Sequence, residues 1–355
     1  MKVMHVGEYV NGGVATYLNE VVEYQKKSSE IDQVYLMMSE YNSDLNIFSE
    51  KNNLILYKYK RSFFSILLAI YYIYKRIKEI KPDIVHVHST FAGFFVRIPL
   101  FFHRRRFKVV YCSHGWSFLM DTNNWKKKIF GMIEHILSIK TDVIINISEF
   151  EYQESIRYRI PIKKSKVIYN GLSNRAENNA NIVKGNKIHL LFVGRFDYQK
   201  GLDILLDFFK VYKNSNIVLD IVGAKVLSKN NTDTNLSNVN YHGWINNADI
   251  DKFYRNSDAI IIPSRWEGFG LVAVEAMRNK KPVIASNRGA LPEIIKHNEN
   301  GYIFDLNNLS ELKEILSNLT KERLERMGQN AYKSFLQNFT SDTMNQKIIS
   351  LYNEI

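Results

Sequence analysis

Short apolar, β-branched runs alternate with longer stretches of helical period along almost the whole chain. The runs are Lys2 to Val6, Gln33 to Met38, Leu54 to Tyr57, Ile84 to Val87, Lys108 to Cys112, Val143 to Asn146 and Lys166 to Tyr169. After a break they resume at Ile188 to Val193, Ile217 to Val222, Val239 to His242, Ala259 to Ile262, Pro282 to Ala285 and Gly301 to Phe304. A run apolar on both faces suits a strand covered from both sides, and its alternation with helices specifies parallel βαβ units. The pattern predicts an α/β protein with two doubly wound, Rossmann-like sheets. The break, Asn170 to Asn181, is rich in Asn, Gly and Ser and has the composition of a linker. An N-terminal domain over 1–170, a linker over 171–187 and a C-terminal domain over 188–340 are therefore expected. The polar stretch Ser228 to Asn238 lies inside the second series and reads as a surface loop.

Composition narrows this picture. With 355 residues, 45% hydrophobic, 24% charged, 17 Gly and 6 Pro, the chain is outside the disordered, collagenous and low-complexity classes, and its length suits two domains. Cys112 is the single cysteine, which excludes an internal disulfide, makes a Cys-based zinc site improbable and points to a reducing compartment. Met1-Lys-Val-Met-His-Val-Gly7 lacks the apolar core of a signal peptide and reads as the first strand, so a cytoplasmic location is expected. The longest apolar stretch, Ser62 to Tyr74, is shorter than the roughly 20 residues a bilayer span needs.

The net charge of +12 is uneven: residues 1–171 carry 25 Lys/Arg against 16 Asp/Glu, or +9, which leaves +3 for the rest. The basic runs Lys75-Arg76-Ile77-Lys78, Arg104-Arg105-Arg106, Lys126-Lys127-Lys128 and Lys163-Lys164-Ser165-Lys166 accompany the aromatic pairs Phe63-Phe64, Phe94-Phe95 and Phe101-Phe102. Together they suit peripheral contact with an anionic membrane, on the inner face of the cell membrane; a solvated basic exterior is the other reading. Such charge also attracts nucleic acid. No RNP, KH, zinc-finger or helix-turn-helix signature accompanies it, and no nucleic-acid partner is expected.

Three strand ends carry candidate chemistry. The first turn, Gly7 to Leu18, feeds Gly12-Gly13 into a helix, which lets backbone approach an anion or simply makes a tight turn. In Val193-Gly194-Arg195-Phe-Asp-Tyr-Gln-Lys200-Gly201 a planar fork and a mobile ammonium can share one diphosphate, or form a solvated turn. In Ile262 to Met277 a strand ends at Pro263, a glycine loop carries Glu267, and a helix opens near Gly270 or Leu271 with Glu275 one turn inside. There the helix N–H groups suit phosphate and the carboxylates suit hydroxyls. Asp249-Ile-Asp251 lies in a helical pattern, where residues two apart diverge, so no metal is assigned to it. His86 and His88 share one strand face without a nearby acidic partner and read as satisfied strand histidines. Cys112 reads as core.

Glu267 and Glu275, separated by seven residues within EGFGLVAVEAM, resemble the E-x7-E signature of the retaining glycosyltransferases of family four, which have the GT-B fold. The resemblance extends in order over nearly the whole chain, through Gly12-Gly13, Ser113-His114-Gly115, Gly194-Arg195, Lys200-Gly201 and Gly289-Ala-Leu-Pro-Glu293. It implies two Rossmann-like domains facing across a cleft, with a C-terminal helix of about 341–355 returning to the first. It further implies that Arg195 and Lys200 bind the donor diphosphate, Glu275 the ribose and Glu267 the transferred sugar. Phe269, Gly270 and Leu271 would present backbone to the donor, His114 would line the sugar site, and Gly12 and Gly13 would approach phosphates or acceptor. The implied reaction is retaining, metal-independent sugar transfer, with no cofactor beyond the nucleotide-diphosphate sugar and with UDP favoured over GDP. The acceptor would be a saccharide or lipid-linked saccharide in capsule, O-antigen or exopolysaccharide assembly. A nucleotide-sugar epimerase or hydrolase of the same fold is the alternative. At Gly223-Ala-Lys-Val226 the chain departs from the Gly-Asp-Gly-Pro frequent in the family, which leaves base contacts there open.

Overall fold

A computed structural model describes residues 1–47, 51–174, 185–224, 236–246 and 249–355, and all counts below refer to these. The chain divides into two compact units, Met1–Ser173 with Ser341–Ile355, and Asn174–Thr340. The central part of the expected linker, 175–184, and the loop residues 228–235 lie outside the described residues.

The first unit is built on seven described strands: β1 Lys2–Gly7, β2 Gln33–Ser39, β3 Leu54–Tyr57, β4 Ile84–His88, β5 Lys108–Cys112, β6 Val143–Asn146 and β7 Ser165–Val167. Their order is β3-β2-β1-β4-β5-β6-β7, and every pairing is parallel. Its helices are α1 Gly13–Gln25, α2 Phe63–Ile80, α3 Thr90–Arg97, α4 Asn124–Ser138 and α5 Glu149–Arg157. The second unit repeats the plan with six described strands: β8 Ile188–Val193, β9 Ile217–Val222, β10 Val239–Gly243, β11 Ala259–Ile262, β12 Val283–Ser286 and β13 Gly301–Phe304. They run in the order β10-β9-β8-β11-β12-β13, again parallel. Its helices are α6 Leu202–Val211, α7 Ile250–Asn256, α8 Leu271–Arg278, α9 Leu291–Ile294, α10 Leu309–Ser317 and α11 Lys321–Asn338. Helix α12, Ser341–Asn353, belongs to the first unit.

The expected α/β class with two doubly wound sheets is what forms. Strand limits differ from the sequence reading by a residue or two for local reasons. Strand β12 starts at Val283 because Pro282 has no N–H to give the ladder. Strand β4 continues to His88, whose pairing with Cys112 prolongs it. In each sheet the order reverses once, between β1 and β4 and between β8 and β11. A doubly wound sheet opens a crevice beyond its carboxyl edge at such a point.

Alternation along the strands assigns the two faces of the first sheet. Met4, Val6, Val85, Val87 and Tyr111 pack with Ile73 and Ile77 of α2 and Phe95 of α3. Phe94 packs partly buried against this cluster. The Phe94-Phe95 pair is therefore core, which removes it from the aromatic surface suggested by sequence. His5 and His86 turn the other way, toward α1 and α12, where Gln25 and Tyr352 meet them. The second core gathers Leu190, Phe192, Leu219, Ile221 and Ile261 with Leu205 and Phe209 of α6.

One ion pair is sunk in the first unit. Arg97 of α3 donates to Glu134 of α4 at 2.8 Å, with both side chains at most 1% exposed. Tyr111 donates its hydroxyl to the same carboxylate at 3.0 Å, and the guanidinium lies 3.8 Å from the Tyr111 ring centroid. Removing one partner strands a buried charge, whereas replacing both with apolar groups of similar volume does not. Glu134→Ala is expected to cost about 3–5 kcal/mol of unfolding free energy, and Arg97→Met with Glu134→Leu much less than that. Denaturant titration of the three proteins checks the asymmetry.

Candidate functional site

The second unit's candidate residues sit on loops at the carboxyl ends of β8 and β11. After Val193 the chain turns through Gly194 to Lys200, where Asp197 accepts from the Lys200 backbone N–H at 3.2 Å. Gly201 follows at φ 69°, and a Cβ there would lie 2.0 Å from the Pro263 carbonyl oxygen. Glycine thus lets the β8 and β11 loops touch. Arg265 forks onto Asp203 at 2.8 and 2.6 Å and lies 3.8 Å from the Tyr198 ring centroid, while Gln199 donates to the Trp266 carbonyl at 3.2 Å. These contacts hold the two loops as one body.

Lys200 Nζ donates to both carboxylate oxygens of Glu267, at 2.9 and 3.0 Å, and both side chains are largely buried. The Glu267 backbone is fixed from below by Gly289 at φ 59°, where a Cβ would meet the Glu267 carbonyl oxygen at 2.0 Å. Gly270, at φ 101°, caps α8; its carbonyl accepts from the N–H groups of Ala273 at 2.9 Å and Val274 at 3.4 Å, so the helix start offers a ligand the N–H groups of Leu271 and Val272. Phe269 buries its ring edge-to-face on Phe339 at 5.9 Å. One turn inside α8, Glu275 accepts from the buried Tyr254 hydroxyl at 2.6 Å. Burial, and then the Glu275 charge, push that phenol well above its ordinary pKa, so it stays a donor.

The structure therefore brings Lys200 and Glu267 into direct contact. Arg195 pairs with Asp197 at 2.9 Å on its own loop and remains half-exposed. The two cations thus pair with different carboxylates, Lys200 with Glu267 in a largely buried setting and Arg195 with Asp197 at the surface. Gly223, φ 145°, presses on Gly194, where a Cβ would lie 1.8 Å from the carbonyl oxygen. Residues 225 and 226 of the departing motif lie outside the described residues. Asp251 is held by Arg278 at 2.8 Å and Asp249 by Lys252 at 2.7 Å, so the two carboxylates have separate partners.

In the first unit Gly12 caps α1 at φ 55°, ψ −131°, a region open essentially to glycine alone, and Gly13 begins the helix. Glu8, buried at the end of β1, is bonded by Arg61 at 2.9 and 3.2 Å. At the ends of β4 and β5 two non-glycine residues hold positive φ: Ser89 at 81° and His114 at 53°. Backbone strain of this kind collects at functional sites.

Behind His114 lies a connected set of histidines. His114 Nε2 is 2.9 Å from His88 Nδ1, His88 Nε2 is 3.0 Å from His5 Nδ1, and His5 Nε2 is 2.8 Å from Gln25 Oε1. His86 Nδ1 is 2.6 Å from the Tyr352 hydroxyl, whereas its buried Nε2 has no partner. Full satisfaction of His86, as the sequence suggested, is thus not met. Burial lowers all four histidines, His5 to about 4, His114 to about 3, and His86 and His88 well below the usual value, so all are neutral at pH 7. His5, His86 and His88 offer nitrogens within 4.8 Å of one another, but those of His5 and His88 are already spent on one another and on Gln25 and His114. Burial pushes the Cys112 thiol up, away from nucleophile chemistry.

Sequence reasoning missed His5, Gln25, Tyr352, Tyr254, Glu8 and Arg265. The first had a signal: β1 and β4 pair His5 with His86, so two polar positions in otherwise apolar strands land side by side. Glu8 and Arg265 lie inside the strand-end stretches already singled out, whereas Gln25, Tyr352 and Tyr254 are partners from distant segments and had none.

Residues 11–174 match the family described as Glycosyltransferase Family 4, and residues 174–334 match Glycosyl transferases group 1. The chain is 37% identical over 331 residues to a 41.2 kDa protein in the cps region of Klebsiella pneumoniae, covering 90% of each. It is 28% identical over 307 residues to the UDP-Gal:alpha-D-GlcNAc-diphosphoundecaprenol alpha-1,3-galactosyltransferase of Escherichia coli, covering 79% of this chain and 77% of that one. Among solved structures, Anabaena HepE in complex with UDP-glucose is similar over 100% of both chains, with a TM-score of 0.82 at 20% identity.

The histidine set makes acid stability a measurable property. A histidine neutral in the folded state and protonated in the unfolded one contributes stability that is complete above about pH 6.5 and is lost as the pH falls toward the lowered folded value. His5, His86 and His88 are fully buried, and each is expected to take up a proton on unfolding, so stability should fall as the pH drops from about 6.5 toward their lowered folded values. Urea unfolding of the first unit across this range reads the slope. His5→Gln should flatten it; an unchanged slope would show that His5 takes up no proton on unfolding.

Proposed function

The chain belongs to the Family 4, group 1 glycosyltransferases, and from that premise we propose that it transfers a sugar from a UDP-sugar to a lipid-linked saccharide, with retention of anomeric configuration. The observation that carries this reading is the Lys200–Glu267 pair beside the N-terminus of α8, with Glu275 one turn within. An ammonium and a row of N–H groups suit a departing diphosphate, and carboxylates suit sugar and ribose hydroxyls. Arg195 lies on the same loop as Lys200 and would add a second cation once it exchanges Asp197 for the diphosphate. No nucleophile is assigned. A front-face route suits such a site, with the leaving diphosphate stabilised by Arg195, Lys200 and the α8 N–H groups and taking the acceptor's proton. The E. coli relative, by its name, uses UDP-Gal and a diphosphoundecaprenol acceptor, and HepE is described with UDP-glucose. Together with the relative from a cps region, they support capsule or O-antigen assembly as the setting.

A lipid-linked acceptor also suits the outer surface of the first unit. Helix α4 buries Gly131, Glu134 and Leu137 and turns Trp125, Ile129, Met132, Ile133 and Ile136 outward, with Trp125 58% exposed. Helix α2 buries Ala69, Ile73 and Ile77 and exposes Phe64, Leu67, Leu68 and Tyr71, with Phe64 at 78%. Apolar stripes on the outer face of helices, beside exposed Lys126, Lys128, Lys75 and Lys78, are what a peripheral anionic membrane surface binds. No helix among the described residues is long and apolar enough to cross a membrane.

Product analysis, variant kinetics and vesicle binding test the reading. Incubated with UDP-sugar and a lipid-linked acceptor, the protein should yield the retained anomer by NMR, with activity persisting in excess chelator. Lys200→Ala should lower turnover on the order of 10²-fold, and Glu275→Gln should raise the donor KM. An inverted anomer, or donor consumed equally well without acceptor, would overturn the proposal, the latter in favour of an epimerase or hydrolase. In vesicle sedimentation, anionic lipid should retain the wild type and lose the Trp125→Ser, Ile129→Ser, Met132→Ser triple variant; equal behaviour of the two proteins would remove α4 from the membrane contact.

A further inference from the structure

Strand pairing sets His5 beside His86, and α1 and α12 close over them with Gln25 and Tyr352. A neutral imidazole has one donor and one acceptor nitrogen, so in a chain of neutral imidazoles the group at one end decides the polarity of every link. That end is Gln25. The Tyr352 hydroxyl lies 2.6 Å from His86 Nδ1 and accepts from Gln25 Nε2 at 3.4 Å, which turns Gln25 Oε1 toward His5. His5 must then donate from Nε2 and accept at Nδ1, His88 must donate from Nε2 and accept at Nδ1, and His114 must donate from Nε2. His114 Nδ1 is left as the acceptor, 3.7 Å from the Cys112 sulfur, and the Tyr17 ring stands edge-on to the imidazole at 4.5 Å.

We propose that Gln25, His5 and His88 are positioning residues that fix the tautomer and orientation of His114 through this directional chain, with Gln25 setting its direction. The inference rests on the reading of His114 as a sugar-site residue and adds how that residue is held. His114 sits on a strained backbone, φ 53°, beside Gly115 at 113°, so its ring needs a partner on the protein side to stay in place. The chain also assigns its chemistry. With Nε2–H committed to His88, His114 serves as a fixed neutral surface for the sugar and passes no proton.

The test is imidazole ¹⁵N NMR on the full-length protein labelled at histidine, together with turnover. In the wild type at neutral pH, His5, His88 and His114 should all be neutral Nε2–H tautomers; an Nδ1–H form at His114 overturns the proposal whatever any variant does. Gln25→Met keeps the bulk and removes the acceptor, and should mix the tautomers at His88 and His114 while turnover falls roughly 10-fold, the scale expected for a small misplacement in a site. Gln25→Glu restores an acceptor and should recover both the single tautomer and most of the rate. Wild-type tautomers and turnover in Gln25→Met would sink the idea. His114→Ala separates the two layers: wild-type turnover there overturns the sugar-site reading and with it the functional part of the chain, whereas the tautomer pattern tests the chain itself.

Discussion

A parallel strand reaches its neighbour only by crossing over one face of the sheet, and everything functional in this molecule follows from that constraint. All described pairings in both sheets are parallel, so helices cover both faces and every strand ends at the same edge. The loops gathered at that edge cannot pair in the ladder and must find other supports. In the second unit glycines supply them: Gly201 against Pro263, Gly223 against Gly194 and Gly289 against Glu267 are backbone contacts too close for any Cβ. Loops fixed this way carry charged side chains at defined positions without a helix or strand of their own.

Electrostatics then acts on a rigid frame. Lys200 and Glu267 neutralise one another in a largely buried setting, and Glu275 is oriented by a tyrosine that keeps its proton. In the first unit the balance is struck differently, since burial leaves four histidines neutral and links three of them through hydrogen bonds instead of ion pairs. The most deeply buried ion pair among the described residues, Arg97–Glu134, lies among α3, α4 and the Tyr111 ring.

The sheets were legible in the sequence because strands buried on both faces write continuous apolar runs, as β6 and β11 do; the exposed edge strand β10 writes a mixed one. The candidate residues were legible where glycine and charge coincide at a strand end, as at Gly194 to Gly201 and Glu267 to Glu275. What stayed hidden was pairing. Spacing shows that Lys200 and Glu267 lie on loops, but only the fold puts them 2.9 Å apart, and nothing near Glu275 announces Tyr254, 21 residues earlier. The outward apolar stripe of α4 was half visible: its lysines stood out as a run, while Trp125, Ile129 and Met132 have the spacing of an ordinary buried face. Which side of a helix meets the sheet is decided by neighbours, here Glu134 and Leu137, and not by its own periodicity.

Helix α12 has a consequence for how the chain is made. It is translated after the whole second unit, yet it belongs to the unit whose strands are synthesised first, where Asn345 bonds the Glu20 carbonyl and Tyr352 seals the histidines of β1 and β4. During vectorial synthesis the second unit has all its described strands and can fold as a block, while the first still lacks the part of its sheet cover that α12 supplies beside α1. The apolar residues that α12 buries, Met344, Ile348, Ile349 and Leu351 among them, can reach their places in the first unit only after the second unit has been translated, so completion of the first unit is timed by this thirteen-residue helix.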